Sequence, residues 1–319
     1  MKAAVYHETG PPEVLRYEDV DDPVLRPNGV VVDVEAVSIE GGDTLNRLGG
    51  EMGSTPHIVG YQCGGTIREV GAEVTDRKVG QSVVATMVHG SHAERVSVSA
   101  ASTWLVPDGL DTVVAACVPI AFGTADDCLF EFGHLQAGET VLVQAGAGGV
   151  GLAAIQLAKR AGATVLATAS TEDKLERLAP YGLDHGINYR DEDFTEKARS
   201  LTDGRGVDLV VDSVGSTLSG SVRALAYRGR ISYVGNAGRD SEPVDVSALM
   251  KGCQSITGVF LGAELMGARA HRNIARLLAE VAAGDLDVVI DRRFPLAEAA
   301  AAHAYVEDRR AFGRVVLIP

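Results

Sequence analysis

Val141-Leu-Val-Gln-Ala-Gly-Ala-Gly-Gly-Val-Gly151 runs directly into Leu152-Ala-Ala-Ile-Gln-Leu-Ala-Lys-Arg-Ala-Gly162. An apolar run that breaks into glycines and then places apolar residues at 152, 155 and 157–158 reads as strand, tight turn, helix. Gly146, Gly148 and Gly151 fit G-x-G-x-x-G, the fingerprint of a dinucleotide-binding βαβ unit. In that reading Gly146 lets the chain turn, Gly148 lets a pyrophosphate approach the backbone, and Gly151 lets the helix pack close on the strand. The helix start, through Gly149 and Val150, offers unpaired N–H groups and the positive end of a dipole to the phosphates. The hexapeptide alone is a weak signal in a chain with 37 glycines; the strand before it and the helix after it give it weight.

A chain of 319 residues suits two domains, and 46% hydrophobic against 23% charged residues is the balance of a globular protein with ample core material. A net charge of −14 opposes phosphate backbones and anionic lipid surfaces, so neither nucleic acid nor a membrane is expected as a partner. Cys63, Cys117, Cys128 and Cys253 follow no regular spacing, which suits reduced thiols and not a disulfide framework or a structural zinc lobe. The stretch Met1-Lys-Ala-Ala-Val-Tyr-His-Glu8 is not a long apolar segment, and no later one reaches spanning length; the expected location is the cytoplasm.

Before residue 121 the chain reads as short strands cut by Gly, Pro and Asp: Lys2–Tyr6, Val30–Val37, Gly65–Val70, Ser82–Thr86 and Ala93–Val98. Beyond it strands alternate with helices: Val141–Gln144, Leu152–Ala161, Thr164–Thr168, Asp173–Ala179, Val207–Asp212, Leu218–Ala226 and Arg230–Val234. Alternation of this kind predicts a doubly wound parallel sheet that binds a nucleotide at the carboxyl ends of its strands. A helix over Arg269–Ala283, a strand at Val288–Ile290, a helix over Leu296–Tyr305 and a strand at Arg314–Ile318 follow, and their return to the first domain is left open.

The chain resembles the zinc-free quinone oxidoreductases, the ζ-crystallin-like branch of the medium-chain dehydrogenase/reductase superfamily. The resemblance spans nearly the whole length. It rests on Met1-Lys-Ala-Ala-Val, Val59-Gly-Tyr-Gln-Cys-Gly-Gly-Thr-Ile, Val106-Pro-Asp-Gly-Leu before Gly123-Thr124-Ala125, Leu135-Gln-Ala-Gly-Glu-Thr-Val-Leu-Val, Gly206-Val-Asp-Leu-Val-Val-Asp-Ser-Val-Gly215 and Phe312-Gly-Arg-Val-Val. It implies an α/β protein: a β-rich GroES-like catalytic domain over 1–121, completed by 259–319, with a doubly wound Rossmann domain inserted over 122–258 and the active site between them. A homodimer is the family expectation.

Zinc alcohol dehydrogenases of this fold carry Gly-His-Glu where the chain has Gly60-Tyr61-Gln62, and a ligand cysteine near Ser38–Asp43 where it has none. His57, Cys63, His89 and His92 could be imagined as a substitute ligand set, but isolated histidines and a cysteine amid apolar sequence are more often structural, so no metal is expected. None of the tyrosines is followed four residues on by lysine, which excludes the short-chain reductases.

The tip of the second predicted strand, Ala169-Ser170-Thr171, has no acid to hold a ribose diol, and the resemblance implies that Ser170, Lys174 and Tyr189 clasp the 2′-phosphate of NADPH. A second reading stays open: Ser170 and Thr171 cap the next helix, with Asp173 completing the cap. The resemblance extends the cofactor contacts to Thr124, Val214, Gly215, Val234, Gly235, Phe260, Leu261 and Arg314; Gly215 and Gly235 read equally well as turn residues, and Phe260 and Leu261 as core.

At the substrate end, relatives show Asn-x-x-Asp-x-Tyr-x-Arg where the chain has Glu40-Gly-Gly-Asp43-Thr-Leu45-Asn-Arg47. Buried, Glu40 is a candidate proton donor with a raised pKa, and Asp43 and Tyr61 are further candidates. Alternatively Glu40 and Asp43 are solvated loop carboxylates, or Asp43 pairs with Arg47. The function expected is NADPH-dependent hydride transfer to a quinone or to the activated double bond of an enone. Its rivals are a tailoring reductase for a bulky natural-product intermediate and a redox-silent NADPH-binding protein.

Overall fold

The structure is a computed structural model describing residues 1–240 and 243–319. The chain divides into two compact units, one formed by Met1–Ile120 with Glu264–Pro319, the other by Ala121–Ala263.

In the second unit, six strands form one parallel sheet in the spatial order 185–188, 164–169, 140–143, 207–212, 225–233, 255–258. Numbered within the unit, that order is 3-2-1-4-5-6, so the winding direction reverses between Thr140–Val143 and Val207–Asp212. Both strands are almost wholly buried, and their near-continuous apolar runs are what a sheet covered on both faces requires. Leu142, Leu166, Val210 and Ile231 pack with Val222 and Ala224 from the helix Leu218–Ala224 to form the core.

The expected strand Arg230–Val234 is longer, Leu225–Tyr233, and its pairing with Val207–Asp212 shifts register between Val207 and Leu209. Periodicity misses the first half because Tyr227-Arg228 is exposed, with Arg228 at φ 62°.

In the first unit, strands 290–295, 314–318, 29–38, 62–70, 82–86 and 103–105 lie side by side in that order, with 95–99 also paired to 29–38, along its first half. A smaller sheet joins 16–19, 2–6 and 57–58. The C-terminal strand Arg314–Ile318 enters the large sheet antiparallel to Gly29–Ser38, with Val316 opposite Ser38. That register brings Arg314 to the loop after residue 38. The expected strand at Val288–Ile290 instead spans Ile290–Pro295, pairing parallel to 314–318. Its alternation is masked by exposed arginines at 292 and 293.

Candidate functional site

Two groups of residues carry the chemistry, one in each unit. In the second unit they cluster where the sheet reverses. The helix Gly149–Arg160 begins at Gly148 without a side-chain cap, so its first N–H groups face outward from an exposed residue. A Cβ on Gly148 would meet only Ala145 O, at 3.3 Å, whereas one on Gly151 would lie 2.4 Å from that same carbonyl. The reason assigned to Gly146 needs correcting. The residue in the left-handed region is Ala145, at φ 54°, and Gly146 is required because its missing Cβ would stand 2.8 Å from Ala167 Cβ on the neighbouring strand. Gly151 likewise fits against the turn, at Ala145 and Gly146.

The turn is tied down by a hydrogen-bond network that sequence reading did not find. Ala145 N donates to Thr168 Oγ1 at 3.0 Å, Thr168 donates to Gln144 at 2.8 Å, and Gln144 Nε2 donates to Ser221 Oγ at 3.2 Å. Ser221 donates to Asp212 Oδ2 at 2.8 Å, and Asp212 Oδ1 accepts from Val214 N and Gly215 N, each at 3.0 Å. One buried carboxylate thus shapes the loop holding Val214 and Gly215, and joins it to the glycine turn. Gly215 sits at φ 81°, and a Cβ there would meet Asn236 Oδ1 at 2.6 Å; one on Gly235 would lie 3.1 Å from Ser213 O. Val234 N donates to Asp212 O at 2.9 Å, lacing the two loops together.

Ser170 follows the strand Thr164–Ala169, and Tyr189 follows His185–Asn188 beside it, the two strands being paired in register through Ala169 and Asn188. Ser170 is buried, whereas Tyr189 is 38% exposed. Thr171 caps the helix Glu172–Leu178, accepting from Lys174 N at 3.3 Å; Asp173 reaches Arg177 at 3.8 Å. Thr124 is buried in the helix Pro119–Asp126. Of the 260–261 pair, Leu261 is core, while Phe260 is 74% exposed.

In the first unit, Glu40 precedes the helix Gly41–Gly49, and Asp43 reaches back to accept from Glu40 N at 2.9 Å. Both carboxylates are buried, which overturns the solvated-loop alternative. Glu40 Oε1 accepts from Gln62 Nε2 and from Arg314 Nη2. Arg314, expected among the cofactor contacts, has its guanidinium committed within this unit: Nε donates to Ser38 Oγ at 3.0 Å and Nη2 to Ile39 O at 2.8 Å. Gln62 Oε1 accepts from Ile120 N at 3.1 Å, which fixes the amide with its NH2 toward Glu40.

Burial pushes Glu40 up to about 6, with the Arg314 charge pulling the other way, and holds Asp43 well above the ordinary carboxylate range. Tyr61 lies against the start of the same helix, where a Cβ on Gly42 would be 2.5 Å from its hydroxyl. Burial, then the Asp43 and Glu40 charges, raise its pKa well above the usual value, so the hydroxyl keeps its proton to donate. Arg47 pairs with Glu307 and donates to Gly10 O at 3.0 Å.

The histidines do not assemble with Cys63. His57 lies beside His89 with ring centroids 4.8 Å apart and the rings tilted, and His92 meets His303. Among the described residues no three His, Cys, Asp or Glu side chains gather as a metal set.

A six-stranded 3-2-1-4-5-6 sheet with an open glycine turn in one unit, and a buried polar centre in the other, define the pyridine-nucleotide oxidoreductases built on GroES-like and Rossmann units. Comparison with known proteins bears this out. Residues 26–108 match the alcohol dehydrogenase GroES-like domain, and residues 149–283 match the family described as zinc-binding dehydrogenase. A 2-haloacrylate reductase from Burkholderia sp. is 34% identical over 100% of this chain and 99% of its own. A quinone oxidoreductase from Pseudomonas aeruginosa is 34% identical over 97% of both. The Escherichia coli quinone oxidoreductase complexed with NADPH superposes with a TM-score of 0.95 at 28% identity, covering 100% of both chains. The chain belongs to the quinone oxidoreductase branch of the medium-chain dehydrogenase/reductase superfamily.

Proposed function

We propose that the protein is an NADPH-dependent reductase that transfers hydride, without zinc, to a quinone or to the activated double bond of an α,β-unsaturated carbonyl. The observation that carries this reading is the uncapped helix start at Gly148, open in front and close-packed behind at Gly151, at the carboxyl end of the central strand. NADPH, when bound, supplies the hydride. The N–H groups of Gly149, Val150 and Gly151 hold the pyrophosphate, and Ser170, Lys174 and Tyr189 take the 2′-phosphate at the neighbouring strand ends. Val214, Gly215, Val234 and Gly235 bring backbone close to the nucleosides, with Thr124, Phe260 and Leu261 as further contacts.

For the acceptor, Tyr61 is the donor we assign. Held protonated by burial and by the neighbouring carboxylates, its O–H would stabilise the negative charge that grows on the acceptor's carbonyl oxygen. Glu40 is held by Gln62 and Arg314, and Asp43 fixes the helix start that carries both. This donor set does not suit zinc. The carboxylate already accepts from a guanidinium, and the Gly-His-Glu ligand position is Tyr61-Gln62. The test is NADPH oxidation against a panel of quinones and enones, with and without a chelator: turnover unchanged by the chelator supports the reading, and no turnover on any acceptor sinks it.

No helix is long and apolar enough to cross a membrane among the described residues, and we place the protein in the cytoplasm. We further infer a homodimer through the sheet-edge strand Ser255–Gly258, beside which Phe260 and Met266 are 74% and 80% exposed. Light scattering reads that directly.

A further inference from the structure

At the end of the parallel sheet opposite the glycine turn, a depression of about 480 Å³ is lined by Arg199, Arg205, Arg223 and Lys251, with Tyr227 and Gln254 beside them and no carboxylate in its walls. In a chain of net charge −14 such a grouping calls for an explanation. Part of it is local. Arg199, Arg223 and Lys251 each sit in the last turn of a helix, 194–200, 218–224 and 246–252, whose carbonyl ends attract cations. Arg199 serves that purpose directly, donating to Arg223 O at 3.3 Å and to Gly204 O. Arg205 is neutralised by Asp208, which it grips at 2.5 and 3.0 Å.

The charges do not cancel. Three helix ends offset part of the three remaining positive charges, and among the described residues the exposed ends of Arg223 and Lys251 stay without a contact partner. Asp193 and Asp245, which feel Arg223 and Lys251 through space, have their oxygens committed to helix starts, accepting from Thr195 N at 2.7 Å and Ser247 N at 2.9 Å. Among the described residues neither Arg223 nor Lys251 has an ion-pair partner, and both are exposed. A phosphate monoester carries about −1.5 to −2 at neutral pH, so its oxygens would supply the partners that Arg223 and Lys251 lack. Beside the two cations the ring of Tyr227, 71% exposed, offers a flat apolar face.

We propose that this depression is a second ligand site, taking a small phosphomonoester whose phosphate is held by Arg223 and Lys251 and whose organic part rests on Tyr227. It is separate from the nucleotide turn and does not depend on the reaction proposed above. The test is calorimetric titration of phenyl phosphate into the full-length protein at fixed ionic strength with saturating NADPH, so that the probe competes for no nucleotide phosphate position. Saturable binding is expected, weakened about tenfold or more in Arg223→Gln/Lys251→Gln, with phenyl phosphate bound more tightly than inorganic phosphate and that preference lost in Tyr227→Ala. Unchanged binding in the double variant overturns the proposal, as does a response that chloride at the same ionic strength reproduces. These side chains project from the surface, so the variants are expected to keep the wild-type melting temperature; a variant that fails to fold is replaced by Lys251→Gln alone, read by the same titration.

Discussion

His92 and His303, 211 residues apart in the chain, meet Nε2 to Nε2 at 3.0 Å with both rings fully buried. Such a contact needs one ring donating N–H and the other, neutral, accepting, and burial keeps the donating ring neutral as well. Burial drives His92 down to about 3, and burial with the neighbouring His92 and Arg47 charges holds His303 well below its usual range. Protonation therefore favours the unfolded chain. Stability from this pair is fully present above pH 6.5 and lost as the pH falls, by about 2 kcal/mol at pH 5 for His92 alone, with His303 acting in the same direction. Urea unfolding at pH 7.5 and pH 5 should show that His303→Gln loses less stability on acidification than the wild type; the same pH dependence in both would contradict the assignment.

Glu40 acts in the opposite direction. Its folded pKa of about 6 stands above the ordinary 4.5, so its contribution is present below pH 4.5 and lost as the pH rises through 6, about 2 kcal/mol in all. Asp43, raised by the same burial, acts with Glu40 and against the histidines, so the histidine contribution is read from the difference between wild type and His303→Gln. Removing the counter-ion exposes the pair more sharply. Arg314→Met leaves a buried carboxylate without its cation, at a cost of about 3 to 5 kcal/mol, and Glu40→Gln in the same chain should return most of it. Thermal unfolding of the two variants decides between a coupled pair and two independent losses.

Gly148 and Gly151 should respond differently to the same added methyl group. Gly151→Ala forces a Cβ to within 2.4 Å of Ala145 O and is expected to destabilise by about 1 to 3 kcal/mol. Gly148→Ala meets nothing closer than 3.3 Å, so stability should hold within about 0.5 kcal/mol while NADPH affinity falls, roughly tenfold or more, because the methyl group occupies the approach to the backbone. Fluorescence titration alongside a melting curve separates the two.

Tyr61→Phe removes one hydroxyl from the start of the helix Gly41–Gly49. If that hydroxyl stabilises the developing charge on the acceptor, kcat drops by about 10² to 10³ with NADPH binding unchanged. A kcat within a factor of two of wild type would move the donor elsewhere.

Ser170→Asp places a carboxylate at the end of the strand Thr164–Ala169. It should weaken NADPH more than NADH by repelling the 2′-phosphate. Equal weakening of both cofactors would count against this placement.

The sequence by itself determined the parallel half and most of its strands, because those signals are local. Val207–Asp212 and, in the other unit, Lys2–Tyr6, Ser82–Thr86 and Arg314–Ile318 lie where apolar runs and turn residues put them. The glycine turn was legible as a turn, yet which glycine does what depended on Ala167, a neighbour 21 positions on that no spacing rule identifies. Only tertiary structure brought Arg314 to Glu40 and His303 to His92. The first meeting follows from the register that sets Val316 opposite Ser38, and pairing register is a property of two strands together, invisible in either. The network through Gln144, Asp212 and Ser221 was hidden for a similar reason: these are ordinary residues in three separate elements, made into one framework by the order of the strands.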